Sequence, residues 1–400
     1  MVEFLFSSVA LFAAVGKIQV TLHGADVDID NDNTVLINAK TYERTFEMKI
    51  KKISELITKA IKGKSHVRFT VGMLKDGNIT TKLYNSNGET DYISYSYEIG
   101  SIAKVFTAAL LAKYLQTGEM NLTDSISEYF PNLNDGKCYP TIQRLATHNS
   151  GYSPLLPMTI SEVLFKLAPK QIWNNFITKK KVVITGSEFM YMDYPKMISI
   201  IEKKDLKDKD YTWSYSNFGI AVLGQVISCV AKKDFSLLMN EFLLHDLSLK
   251  NTSITSTPPN AVQGYDDNNL AYEPKDNPFK DLRNLMLPAG AITSTPEDML
   301  QFIKVNLDTN HAYSNYTHNI YGNKVDFRDP SSGRTMQFKM GLAWFNDCTN
   351  PNIYFHEGNI DGFSSVIAFD KVNNVGVVLL MNYHNYKERD ELWRVILETL

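Results

Sequence analysis

No stretch constrains the chain more than Tyr97-Glu98-Ile99-Gly100-Ser101-Ile102-Ala103-Lys104-Val105-Phe106-Thr107-Ala108-Ala109-Leu110-Leu111. It is long enough for a helix and apolar on nearly every side, so it must be buried at the centre of a large domain. Gly100 permits a sharp entry, and Gly118 stands where such a helix would end. Ser101 and Lys104, three residues apart at its head, share one face of a helix, so the amine can reach the hydroxyl. The helix start also aims backbone N–H groups at whatever sits on Ser101. A buried lysine is costly unless paired, and burial lowers its pKa toward the value a proton acceptor needs at neutral pH. Such a pair can activate a serine nucleophile. The same spacing also arises by chance in a chain of this length; the position at the mouth of a buried helix is what singles this pair out.

With 400 residues, 44% of them hydrophobic, the chain can supply that core as one large domain or two interleaved ones. A formal net charge of -3 provides no global field for a polyanion, so no nucleic-acid partner is expected. The basic clusters Lys49, Lys51, Lys52 and Lys179-Lys180-Lys181 read as solvated faces of a helix and a loop. Cys138, Cys229 and Cys348 are far apart and odd in number, implying neither a disulfide framework nor a zinc ribbon. His356-Glu357 lacks a second histidine one turn on, and no His-Glu-x-x-His pair occurs, so neither a metal nor another cofactor is expected. The apolar run Phe4 to Val15 is too short to span a bilayer. It resembles the h-region of a signal peptide, pointing to a periplasmic or secreted protein, although Glu3 replaces the usual positive n-region; the alternative is an N-terminal strand.

Residues 1–40 form an N-terminal segment, polar and rich in Asp and Asn from 24 to 40, where a linker is expected. Helical spacing of apolar residues predicts a helix from Tyr42 to Lys62, ending at Gly63. Strands are expected at Val67–Leu74 and Thr80–Tyr84, joined as a hairpin through Lys75-Asp76-Gly77-Asn78. Residues 122–282 read as a mostly helical inserted subdomain, with Phe218–Lys233 its most apolar helix. A capped helix start follows at Thr295-Pro296-Glu297-Asp298. Strands are then expected at Met340–Phe345, Ser364–Asp370 and Val375–Met381, and an amphipathic helix at Glu388–Leu400. Residues 41–121 and 283–400 would thus form a discontinuous α/β domain around the insertion.

Two further stretches combine polar groups with awkward backbone. Tyr211 to Gly219 is a polar loop running into a buried helix, with Tyr215 and Asn217 offering a phenol and an amide. Phe355 to Ser365 is polar and glycine-rich where a strand is expected, and glycine inside a strand often marks the close approach of a ligand.

Three motifs in order, Ser101-x-x-Lys104, Tyr215-x-Asn217 and His356-x-Gly358, resemble those of the serine β-lactamase and penicillin-binding-protein superfamily. The likeness is to its class C branch with the related DD-peptidases, D-aminopeptidases and esterases. Leu145–Gly151, Pro288–Thr295 and Val377–Asn382 resemble further family landmarks, so the likeness covers roughly residues 42 to 400. It implies an α/β (α+β) fold of the β-lactamase/transpeptidase type: an antiparallel sheet flanked by helices with an inserted all-α subdomain. It also implies the site. Ser101 would attack a carbonyl and form an acyl-enzyme, Lys104 and Tyr215 would share the proton traffic, and Asn217 would hold Lys104 and a substrate amide. Backbone N–H groups of Ser101 and Asn359 would meet the oxyanion. His356 takes the place of the family's lysine, with Glu357 and Gly358 completing the substrate-binding segment. His148 is expected to hold a loop and to do no chemistry.

The expected activity is hydrolysis of D-amino-acid peptides, amides or β-lactams. An esterase would use the same residues, and a silent binding protein is the alternative from another class. Glu357 departs from the family pattern. Facing the cleft it would repel a carboxylate and attract an amine; turned away, it would bind a surface lysine.

Overall fold

The computed structural model describes residues 27–29, 35–37, 39–152, 191–255, 258–272, 277–328, 333–384 and 386–400. The signal-like run from Phe4 to Val15 and the cluster Lys179–Lys181 lie outside them. The chain divides into a first unit, Met1–Leu56 with Thr399, and a second, Ile57–Glu398 with Leu400. In the first, strands β1 (Val27–Ile29) and β2 (Val35–Ile37) pair antiparallel, Val27 opposite Ile37 and Ile29 opposite Val35. This corrects the reading of 24–40 as linker throughout: two three-residue strands in an Asp- and Asn-rich sequence are too short to stand out from their polar surroundings. Helix α1 follows at Ala39–Ala60.

The second unit is built on a nine-stranded antiparallel sheet. Its strands are β3 (Phe69–Lys75), β4 (Asn78–Asn85), β5 (Gly88–Thr90), β8 (Tyr321–Arg328), β9 (Thr335–Met340), β10 (Phe345–Asp347), β11 (Ile353–Ile360), β12 (Phe363–Asp370) and β13 (Val375–Met381), and the spatial order is β5-β4-β3-β13-β12-β11-β10-β9-β8. A two-stranded ribbon, β6 (Tyr97–Glu98) with β7 (Thr293–Ser294), stands apart from it. The β3–β4 hairpin closes through Asp76 and Gly77, both at positive φ, the conformation that Asp-Gly supplies at a two-residue hairpin turn. At the centre, β12 and β13 are buried along their whole length, so both faces must be covered. On one face helix α7 (Pro296–Leu307) presses close, and a Cβ at Gly72 or Gly376 would meet Leu300 at 2.9 Å or Ile303 at 2.6 Å. On the other, helix α9 (Tyr386–Thr399) stacks Trp393 on Phe355 with ring centroids 5.0 Å apart. Helix α7 starts as its sequence dictates, with the Thr295 hydroxyl accepting from Asp298 N and Pro296 in the first turn.

One expected strand is displaced. Met340 to Phe345 is not continuous: β9 ends at Met340, a tight turn follows, and β10 begins at Phe345. Gly341 N donates to Trp344 O at 2.8 Å, and Ala343 sits at φ 61°. A Cβ on Gly341 would lie 2.3 Å from Thr317 O, so the turn is docked on the end of helix α8 (Ala312–Thr317). Apolarity continues unbroken through Leu342, Ala343 and Trp344 because the turn is itself buried, which is why the composition read as strand.

Helix α2 (Ala103–Thr117) is the central element. Every residue from Ala103 to Ala112 is buried, and Gly118 caps it in the left-handed conformation. The described part of 122–282 contributes no strand to the main sheet. It carries helices α3 (Ile142–Ala146), α4 (Tyr194–Lys203), α5 (Asn217–Ala231) and α6 (Phe235–Glu241). Helix α5 packs on the turn at Leu287–Ala289 so closely that a Cβ on Gly224 would lie 2.2 Å from Pro288.

Candidate active site

Ser101 lies in a single 3₁₀ turn, Gly100–Ile102, that runs directly into α2. Gly100 has φ 51°, and a Cβ there would meet the backbone of Asn359 at 2.9 Å. Gly358 is tighter still, since a Cβ would stand 2.0 Å from Ile99 O and 2.3 Å from Ser365 Oγ. Two glycines therefore let the serine turn and strand β11 meet backbone to backbone. The Ser365 hydroxyl fastens the contact by donating to Ile99 O at 2.9 Å. The close approach read from Gly358 is thus to the chain's own serine turn.

Lys104 is fully buried, its Nζ 2.9 Å from Ser101 Oγ and 2.6 Å from the Ala289 carbonyl. Burial alone holds its pKa well below that of an ordinary lysine. The ring of Tyr215 lies 4.9 Å from the same nitrogen. Burial pushes the Tyr215 phenol up; a hydrogen bond with Ser101 opposes this, and the charge of Glu357 adds to it. An amine whose pKa is lowered and a phenol whose pKa is raised thus flank one hydroxyl.

The loop carrying Tyr215 is held by the Leu145–Gly151 segment. Tyr211 N donates to Asn149 O at 3.0 Å, Asn149 Nδ2 donates to Tyr211 O at 2.7 Å, and Ser214 N donates to His148 O at 2.9 Å. His148 sits at φ 61°, accepts the Ser216 N–H at Nδ1 at 3.1 Å, and stacks beside Tyr215 with centroids 4.7 Å apart. Burial, with the charges of Lys104 and His356, keeps it neutral. It holds the loop, as its sequence context suggests. Asn217 opens α5 behind the Ser216 cap. Among the described residues, no hydrogen bond joins it to Lys104, whose second partner is Ala289 O.

His356, Glu357 and Asn359 lie along β11 and border, with Ser101 and Tyr215, a cleft of about 200 Å3. His356 Nδ1 is 2.7 Å from the Glu357 carbonyl, which can only accept, so Nδ1 carries the proton. Burial and the charges of Lys104 and Arg389 lower its pKa to about 3 despite that bond. Glu357 alternates with His356 along the strand and turns toward α9. Its carboxylate is bound by Arg389 at 3.0 Å and Arg334 at 3.3 Å, not by a surface lysine. Both arginines also bind Asp390, at 2.6 and 2.8 Å. Arg389 further donates to Asn359 Oδ1 (2.7 Å) and to the carbonyls of Gly358 and Ser365 (both 3.2 Å), clamping the strand beside Ser101. Burial raises the Glu357 pKa and Asp390 adds to that, while the arginines oppose it.

Sequence reasoning did not assign Ala289, Arg334, Arg389 or the apolar wall of the cleft, Trp213, Phe327, Met336, Phe338 and Phe345. One signal was available for Arg389: it shares a helical face with Trp393 and Ile396, an apolar stripe where an arginine needs a buried partner.

The family model described as Beta-lactamase matches residues 96–400. The chain belongs to the β-lactamase family. Within this family, similarity to curated proteins is distant. Protein flp of Staphylococcus aureus strain MW2 is 24% identical over 297 residues, covering 72% of this chain and 53% of that protein. The chain thus spans about half the length of that relative. A β-lactamase of Lysobacter lactamgenus is 24% identical over 326 residues, covering 72% of this chain and 73% of its own. Among solved structures, the β-lactamase/D-alanine carboxypeptidase of Pseudomonas syringae has a TM-score of 0.65 at 18% identity, covering 88% of this chain and 99% of that one. That likeness establishes the shared fold. No helix among the described residues is long and apolar enough to cross a membrane.

Proposed function

We propose that this β-lactamase-family protein is a serine hydrolase working through an acyl-enzyme on Ser101. The observation that carries the proposal is Lys104: fully buried, with no carboxylate among its hydrogen-bond partners, and 2.9 Å from Ser101 Oγ. Its lowered pKa leaves a lone pair to take the serine proton as Oγ attacks a carbonyl carbon. The oxyanion is met by the backbone N–H groups of Ser101 and Asn359, which the two glycines bring together. Tyr215, protonated, gives its proton to the leaving group and recovers one from Lys104. Water then attacks the acyl carbon, and its proton passes by way of the amine and the phenol to Ser101 Oγ as the acyl–Oγ bond breaks, releasing the acid. His148 positions Tyr215, and Arg389 positions Asn359.

For the substrate, the names of the Lysobacter and Pseudomonas relatives favour β-lactams and D-amino-acid peptides or amides. An esterase is favoured by the apolar wall from Trp213 to Phe345. A silent binding protein is disfavoured, because binding alone has no use for a lysine buried against a serine.

A fluorophosphonate probe tests the proposal. It should modify Ser101 stoichiometrically and at least 100-fold more slowly in Lys104→Met. Modification of another serine, or equal rates in the two proteins, would overturn it.

A further inference from the structure

Among the described residues, every side chain lining the cleft is either uncharged or, as Glu357, already bound by arginines. At the position where the family's third motif places a cation stands His356, whose Nδ1–H is spent on its neighbour's carbonyl. Its remaining nitrogen, Nε2, is therefore a hydrogen-bond acceptor, the opposite of what a carboxylate requires. Arg334 and Arg389 lie within reach of the same strand, but Arg334 Nη1 and Arg389 Nη2 each bind both Glu357 and Asp390. Two arginines against two carboxylates leave the cluster without net charge. Beside the uncharged Ser101, Tyr215 and Asn359, the lining is apolar: Trp213, Phe327, Met336, Phe338 and Phe345, with Trp213 packed edge-on against Phe327 and Phe338 at 5.2 and 5.1 Å. Among the lining residues, the buried side-chain atoms lacking a hydrogen-bond partner are Trp213 Nε1 and His356 Nε2. One is a neutral donor and the other a neutral acceptor. An unmet polar atom in an apolar wall costs free energy until a ligand supplies its complement.

We infer that the cleft selects uncharged esters or amides with an apolar, aryl-sized group, and refuses substrates that carry a carboxylate next to the scissile bond. An apolar group of that size fits a space of about 200 Å3 walled by four aromatic rings and a methionine. A carboxylate would lose its hydration there and gain no cation, a cost that appears directly in kcat/KM. The carbonyl, N–H or O–H of a neutral ester or amide offers partners for the indole and the imidazole. Free amines gain nothing either, because both arginines already neutralise Glu357. This selectivity rests on the serine-hydrolase reading of Ser101.

The test compares phenylacetate esters of 3-hydroxybenzoic acid and of its methyl ester, which differ only in a carboxylate on the leaving group. Wild type should hydrolyse the methyl ester with kcat/KM at least 30-fold higher. His356→Lys, which restores a cation, should narrow that ratio at least tenfold. Phe327→Lys, on a half-buried edge position of the cleft, should move it in the same direction and serves if the buried lysine prevents folding. Equal turnover of the two esters, preference for the acid, or no turnover of either would overturn the inference so long as the fluorophosphonate still modifies Ser101. Failure of that modification would instead overturn the serine-hydrolase reading.

Discussion

Ser101 and Glu357 both line the cleft, and the ionisable side chains bound to them solve burial in opposite ways. Among the described residues, Lys104 Nζ hydrogen-bonds a hydroxyl and a carbonyl and pairs with no carboxylate, and burial lowers its pKa. Glu357 lies within a quartet in which each of two carboxylates is met by both of two arginines. The unpaired group keeps a lone pair for chemistry, whereas the paired ones form scaffold. Removing the first should cost activity with little stability, and removing a member of the second should cost stability first.

The contrast is broken most forcefully at the lysine. Lys104→Met should lower kcat/KM by a factor on the order of 100 to 10,000, while the unfolding midpoint holds or rises, because a desolvated amine is exchanged for an apolar chain of similar length. A fall in stability with activity retained would show that Lys104 is structural. Tyr215→Phe should slow acylation by roughly 100-fold, and the Lys104→Met/Tyr215→Phe double variant should be little worse than the worse single, since both act on one proton path. Additive losses would separate the two side chains.

At the quartet the signs reverse. Arg389→Met leaves Glu357 and Asp390 to share Arg334, and urea denaturation should show a loss of about 3–5 kcal/mol. Arg389→Lys should recover little of it, because an ammonium cannot reproduce contacts to Glu357, Asp390 and Asn359 together with two carbonyls. Neutral stability in either variant would remove the clamp from the account.

The pH dependence of stability follows from the same burial. His356, lowered from 6.5 to about 3, stays neutral in the folded protein while the unfolded chain takes up a proton. Stability should therefore fall as pH drops from about 6.5 toward 3, with His148 and His318 contributing in the same direction. His356→Gln should shallow that slope. For Lys104 the unfolded chain also binds the extra proton, so stability should rise with pH toward about 10.5, a rise that Lys104→Met removes. The smallest effect belongs to the surface: Glu89→Gln breaks the ion pair with Lys82, half-exposed at 27% and 48%, and should change stability by at most about 1 kcal/mol.

How much of this could be read from the sequence depended on the range of the interaction. The buried helix, its glycine ends, the Asp76-Gly77 hairpin and strands β12 and β13 follow from runs of neighbouring residues, and they form where those runs predict. Ser101 and Tyr215 stood out because each sits in a polar break beside such a run, and His356 through the family resemblance; the three line one cleft. The partners did not: Ala289 meets Lys104 across 185 positions, and Arg389 reaches Glu357 across 32. Nothing local marks a backbone carbonyl as a lysine's partner. The buried turn at Gly341–Trp344 failed for a related reason, since its apolar residues pack as a strand's would while Ala343 takes a left-handed backbone. Strand β8 was missed because its alternation is almost wholly exposed.

The central claim is that the lone buried lysine makes Ser101 a nucleophile, and trapping the acyl-enzyme tests it most directly. The wild-type protein and Ser101→Ala would be mixed with phenyl phenylacetate, quenched in acid within milliseconds, digested, and analysed by mass spectrometry. The account predicts a phenylacetyl group on the peptide containing Ser101 in wild type, and none in a Ser101→Ala protein with an unchanged melting temperature. An acyl group on another residue, or hydrolysis by Ser101→Ala at the wild-type rate, would contradict it.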